Sequence, residues 1–211
     1  EATWPAQLHD CKAAIRWLRA NARKYGIDAD RIGVIGPSAG GHLVAMLGVS
    51  GGVKGLEGTI GLHRDQHSGV TCVVDQFGPT ELLTMDDYPG KLVHNNPNSP
   101  ESRLIGGALQ ENKAAARNAS PVTHVSRNDA PILIVHGTDD PVVPFNQSER
   151  FREVLQKARV PVDLIQMTDG GHGGFQSQEL ERRIDAFLAR YLLGDKRAFS
   201  TEPITVAPRQ R

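Results

Sequence analysis

A parallel β-sheet wound with helices on both faces is the fold that this sequence predicts, and three observations predict it. Apolar runs without alternation recur at 31–36, 70–77, 131–137 and 162–169, the pattern of strands buried on both faces. Stretches with helical spacing separate several of them, and strands alternating with helices form parallel sheets. The chain has 211 residues, the length of one domain with a substantial core.

The elements follow in order. Residues 5–25 read as an amphipathic helix, because Leu8, Cys11, Ile15, Leu18 and Ala22 step by three and four and Pro5 suits a first turn. "YGID" punctuates, "RIGVIG" is a buried strand, and a small-residue helix runs from Ala39 to about Leu47. "VTCVVDQF" and "PILIVHG" are the second and third strands. Residues 145–158 return to helical spacing through Phe145, Phe151, Val154 and Leu155. "VDLIQMTD" is the fourth strand, and a long helix at 177–193 carries Leu180, Ile184, Phe187, Leu188 and Tyr191 on one face. Two stretches are irregular: 48–69, rich in Gly and His, and 78–130, too long for a simple crossover. The second is expected to form a lid or pocket wall over the carboxyl ends of the strands. One domain is expected to span 1–194, with 195–211 a loosely held polar tail.

Composition narrows the function. Lys plus Arg and Asp plus Glu number 24 each, so charge gives no argument for nucleic acid or an anionic membrane. No apolar run approaches the roughly 20 residues of a membrane span. Cys11 and Cys72, in a predicted helix and a predicted strand, read as small buried hydrophobes. The sequons at Asn118 and Asn146 are too short a pattern to argue secretion, and compartment and oligomeric state stay open.

The chemistry centres on "GVIGPSAGGHL", where Ser38 stands between Gly36 and Gly40 at the end of a buried strand and the start of a helix. A serine hydroxyl is a poor nucleophile until a base takes its proton. A strand–GxSxG–helix turn lifts the hydroxyl clear of the sheet. It lets strand and helix approach at the glycines, and it aims the Ala39 N–H at an oxyanion formed over Ser38. Such an elbow requires an acid and then a histidine, each on a loop after a later strand. "HGTDDPVVP" offers Asp139 or Asp140, and "GGHGGF" offers His172. His42 and His136 read as structural hydrogen-bonders. His9, His63, His67, His94 and His124 lie in the N-terminal helix or the irregular stretches. No familiar metal-ligand spacing occurs, and no cofactor or metal is expected. Asp75, Phe77 and Glu81 sit where a strand ends near the site and are candidates for the pocket or, more simply, for loop capping.

The stretches "DCKAAIRWLRANARKYGIDADRIGVIGPSAGGHLVAML", "DQFGPTELLTM", "SPVTHV", "ILIVHGTDDPVVPFNQS" and "GGHGGF" together resemble the α/β-hydrolase carboxylesterases. The resemblance runs from about residue 5 to 193 and is nearest the acetyl-xylan and feruloyl esterase-like branch, relatives of the hormone-sensitive-lipase-type esterases. It implies an α/β-hydrolase doubly wound sheet and an acyl-serine mechanism on a short-chain or carbohydrate ester. The triad would be Ser38, Asp140 and His172, with Asp140 fifth in the family's HG-x-x-D pattern. The family's upstream His-Gly-Gly oxyanion loop has no counterpart before Ser38; the one "HGG" holds His172 itself. The chain, which opens without Met or a leader pattern, is therefore expected to be the C-terminal part of such a hydrolase. Its nucleophile strand would then lack a partner on one side.

Two other functions compete. A prolyl-oligopeptidase-type peptidase shares the fold and the order Ser, Asp, His, but Ala39 stands where those peptidases commonly have Tyr. A non-catalytic hydrolase remnant is the other, and the complete Ser38–Asp140–His172 set argues against it.

Overall fold

The computed structural model describes residues 2–88 and 90–206. Helix α1 (Ala6–Ala20) and a single turn α2 (Ala22–Tyr25) lead to strand β1 (Gly33–Pro37) and helix α3 (Ala39–Val49). Strand β2 (Cys72–Gln76) follows, then short helical pieces that include α4 (Pro100–Ile105) and α5 (Lys113–Asn118). Strand β3 (Ile132–Gly137), helix α6 (Asn146–Lys157), strand β4 (Val162–Thr168), helix α7 (Gln178–Leu193) and strand β5 (Ile204–Thr205) complete the order. The strands form one sheet in the order β1-β2-β3-β4-β5 with every neighbouring pair parallel. None of the described helices is long and apolar enough to cross a membrane.

Period two along the strands divides the core. Val73, Ile132 and Ile134 face one way, against Val44, Ala45 and Val49 of α3 and Phe151 and Leu155 of α6. Cys72, Val74, Leu133 and Val135 face the other way, against Leu180, Ile184 and Phe187 of α7. Both alternating sets are apolar because both faces are covered, which is why the strands read as unbroken apolar runs. Residues from 78–130 gather a smaller core of Leu82, Met85, Leu109, Ala116 and Ala119 around Val143, beside the end of β3.

Three expectations need correction. The helix expected over 5–25 breaks at Asn21, whose backbone (φ −102°, ψ 6°) leaves the helical region while its N–H (3.0 Å) and side-chain amide (2.9 Å) both donate to the Trp17 carbonyl. The first strand starts at Gly33, because the Ile32 N–H is taken by Thr71 Oγ1 (3.1 Å) rather than by the ladder. Residues 195–206 are not a loose end. Ile204 and Thr205 pair with Met167 and Thr168 of β4, and Phe199, Ile204 and Val206 pack on the α7 side of the core. Arg183 donates to the Glu202 carbonyl, and the Arg190 guanidinium lies over the Phe199 ring at 4.8 Å. Residues 207–211 of the expected tail lie outside the described residues.

At the opposite edge, β1 pairs only with β2 among the described residues, and Ile35 is 51% exposed there. Among the described residues the strand that leads into Ser38 thus has one open side.

Candidate active site

Ser38 ends β1 and starts α3 with φ 53° and ψ −120°, a backbone region that L-residues seldom occupy. Bonds on both sides hold it there: its N–H donates to Gln76 O (2.8 Å), and its carbonyl accepts from the His42 N–H (3.0 Å). The turn closes only because position 36 is glycine, since a Cβ there would collide with the Gly40 carbonyl. A Cβ on Gly40 itself would meet the Pro37 ring at 3.3 Å, so Gly36 carries the tighter constraint. Ala39 is exposed and begins α3, where the first N–H groups have no intrahelical partner.

The β3 and β4 loops meet above the sheet beside Ser38. Gly137 ends β3 where any Cβ would run into the Gly170 and Gly171 carbonyls. The Asp139 N–H donates to Gly170 O (2.9 Å), and the Asp169 N–H to Thr138 Oγ1 (3.0 Å). This lacing presents Asp140 and His172 to each other. His172 Nδ1 lies 2.7 Å from Asp140 Oδ2, and His172 Nε2 lies 2.9 Å from Ser38 Oγ. Nδ1 faces a carboxylate and must carry the proton, which leaves Nε2 free to accept from the serine hydroxyl. Asp139 is exposed and, among the described residues, its carboxylate accepts only from its neighbour Thr138. Of the two acids that the sequence offered, the structure brings Asp140 to His172.

Asp140 Oδ1 accepts from the Val142 (2.8 Å) and Val143 (2.9 Å) N–H groups. Burial pushes its carboxyl up, and the hydrogen bonds from His136, His172 and these two amides outweigh that, holding it below the usual carboxylate range. His136, read from sequence as a structural hydrogen-bonder, touches the acid directly: its Nε2 lies 3.1 Å from Asp140 Oδ2. Its position four residues before the acid in "HGTDD" puts it at the same strand end without fixing where its ring points. Phe77 has φ 46° and sets its ring edge-on to the His172 imidazole, 4.8 Å between centroids. The sequence placed Phe77 at a strand end near the site, but not its ring against the imidazole.

The remaining sequence candidates lie elsewhere. His42 donates Nε2–H to Ala119 O (2.7 Å) and packs against Trp4, a structural role. Glu81 turns to Arg150 and Thr84. A cavity of about 160 Å³ opens beside Ala39 with mostly apolar walls, among them Leu43, Pro79, Leu82 and Leu104.

Asp75 is buried beneath α3. Its Oδ1 accepts the Gly78 N–H (2.9 Å), while its Oδ2 has no partner among the described residues. Burial pushes its carboxyl up to about 6, against the pull of the Gly78 bond and of His136. An acid with a higher pKa in the fold than in the unfolded chain favours folding while protonated, and that contribution is lost as pH rises through the folded value. Asp75→Asn is therefore expected to abolish a stability loss of up to about 3 kcal/mol between about pH 4 and pH 8. Urea unfolding at both pH values reads it, and an unchanged slope in the variant would assign the loss to other groups.

A family model described as BD-FAE matches residues 1–155, a span that holds Ser38 and Asp140 and stops short of His172. Esterase LipC of Mycobacterium tuberculosis (strain ATCC 25618 / H37Rv) is 32% identical over 171 residues, 81% of this chain and 41% of LipC. A solved structure described as "Truncated form of carbohydrate esterase from gut microbiota" superposes with TM-score 0.85 at 38% identity, covering 91% of this chain and 70% of that one. The propionate-bound esterase Est2 of Thermogutta terrifontis superposes with TM-score 0.65 at 26% identity, covering 87% of this chain and 64% of Est2. The chain spans about two fifths of the length of the curated relatives it matches.

Proposed function

Because the chain belongs to the BD-FAE family and has the α/β-hydrolase fold, we propose that it supplies the catalytic residues of a serine carboxylic-ester hydrolase. The substrates are acetyl or other short-chain esters, those of carbohydrates included. The observation that carries this reading is the unbroken chain Ser38 Oγ, His172, Asp140, with links of 2.9 and 2.7 Å. Ser38 Oγ attacks the ester carbonyl as His172 Nε2 takes its proton. The Ala39 N–H donates to the oxyanion. His172 returns the proton to the leaving alcohol, and Asp140 stabilises the imidazolium between the two transfers. Water, deprotonated by His172, then frees the acyl group and restores Ser38. The small apolar cavity beside Ala39 suits a short acyl chain, and residues 78–130 act as its lid or wall. The propionate in Est2 and the carbohydrate esterase neighbour support the same substrate class.

The test is a fluorophosphonate label combined with three substrates: p-nitrophenyl acetate, an acetylated xylo-oligosaccharide and a prolyl peptide amide. One label per chain on Ser38 and turnover of either ester ahead of the amide are expected. Preferential amide cleavage would replace the esterase with a peptidase. A chain that takes no label and turns over none of the three would be a non-catalytic remnant.

A further inference from the structure

We propose that His136 is a positioning residue for catalysis, holding the orientation and charge of Asp140 through a buried chain that begins at Ser148 on α6. The inference rests on the triad reading above. His136 is fully buried, and every polar atom of its ring is engaged. Nε2 faces two acceptors, the Val143 carbonyl at 2.9 Å and Asp140 Oδ2 at 3.1 Å, so Nε2 carries a proton. Nδ1 lies 2.6 Å from Ser148 Oγ, and with the proton on Nε2 it accepts a hydrogen bond from the serine hydroxyl. The Val143 carbonyl alone would satisfy a merely structural Nε2–H. The second acceptor is the carboxylate oxygen that also receives His172 Nδ1–H. Two imidazoles therefore divide one lone-pair-bearing atom between them.

That division has a chemical consequence. A donor on Oδ2 draws negative charge away from the bond to His172 and so moderates how strongly Asp140 stabilises the His172 cation. Ser148 sharpens the effect, because a proton donated to Nδ1 makes Nε2–H a better donor. The groups packed around His136 are few. Phe145 of the α6 entry (5.5 Å) and Phe77 after β2 (6.3 Å) are uncharged. Asp75 on β2 acts on it through space, and Asp140 and His172 supply the other titrating groups.

His136→Leu removes the donor and is expected to raise the acidic limb of the kcat/KM profile by about 0.5 unit. Loss of the contact that orients Asp140 should also lower kcat about tenfold, the size of one charge-assisted hydrogen bond, with KM within about twofold. His136→Gln, which restores an N–H donor, is expected to bring the limb back. Ser148→Ala, which deletes one oxygen, should shift the limb the same way by less and keeps the test open if His136→Leu does not fold. Repeating the series in an Asp75→Asn background removes a second buried carboxylate, which burial raises to about 6. Rates are expressed per fluorophosphonate-titrated site. Variants that lose titrated sites while the limb and the per-site kcat stay at wild-type values would make His136 purely structural and overturn the inference. A wild-type protein that neither takes the label nor turns over ester would instead overturn the triad reading.

Discussion

Ser38→Ala, made in the protein carrying these residues, is expected to lose fluorophosphonate labelling entirely and to lower ester turnover by about 10⁶-fold. The size follows from the chemistry: with no oxygen to acylate, the imidazole and its carboxylate have no proton to move, and only binding and the oxyanion donor remain. The fold should survive, since alanine fits wherever the serine backbone fits and Oγ makes its one hydrogen bond to His172. Ser38→Gly separates site from scaffold. Glycine adopts φ 53° without the steric cost paid by serine, so this variant should be the more stable by about 1 kcal/mol while equally inactive. Thermal unfolding and a progress curve on p-nitrophenyl acetate read the two effects. Turnover in Ser38→Ala above about one hundredth of wild type would show that another nucleophile is at work.

How much of this was legible in the sequence depended on what fixes each feature. The four main strands were legible because burial on both faces demands apolar residues at consecutive positions, as in Ile132–Val135 with alternate side chains in two separate cores. Helix α7 was legible because one stripe faces the sheet, and Ser177 caps it by accepting the Leu180 N–H (3.1 Å). The break at Asn21 was not, because the backbone angles of one residue make it and the apolar stripe continues to Ala22. Strand β5 was not, because two residues in a polar stretch are too short to show any period. Its anchor is tertiary: the open edge of β4 and the patch where Phe199 and Val206 settle.

The site divides in the same way. The order of Ser38, Asp140 and His172 follows that of the parallel strands that carry them, β1, β3 and β4, so it is written along the chain and can be read there. The contacts that tune the acid are not. His136 reaches Asp140 because β3 ends in a turn of fixed shape, and sequence spacing cannot say whether an imidazole four residues upstream points toward the carboxylate or away. Phe77 is harder still, since its backbone turns to φ 46° while its N–H bonds Val135 O (2.8 Å), on a neighbouring strand distant in sequence.

Asp140→Asn against Asp139→Asn turns that difference into a measurement. The two acids are adjacent in sequence, yet Asp140 receives four donors and Asp139 points outward. An amide at 140 either presents an N–H to His172 Nδ1–H or, by accepting from it, loses the charge that stabilises the imidazolium. Where the ring flips its tautomer, Nε2 acquires the proton and no longer serves as a base for Ser38. The expected loss in kcat is about 10⁴-fold for Asp140→Asn, and about twofold at most for Asp139→Asn. The same substitution predicts a change in acid stability. A carboxylate held below its ordinary range stabilises the fold above the unfolded value of about 4, and that contribution is lost as pH falls through the lower folded value. Asp140→Asn should therefore unfold at lower urea than wild type at neutral pH, and the gap should close on acidification. Equal losses of activity in the two variants would mean that negative charge on this loop, rather than the bond at 2.7 Å, is what His172 requires.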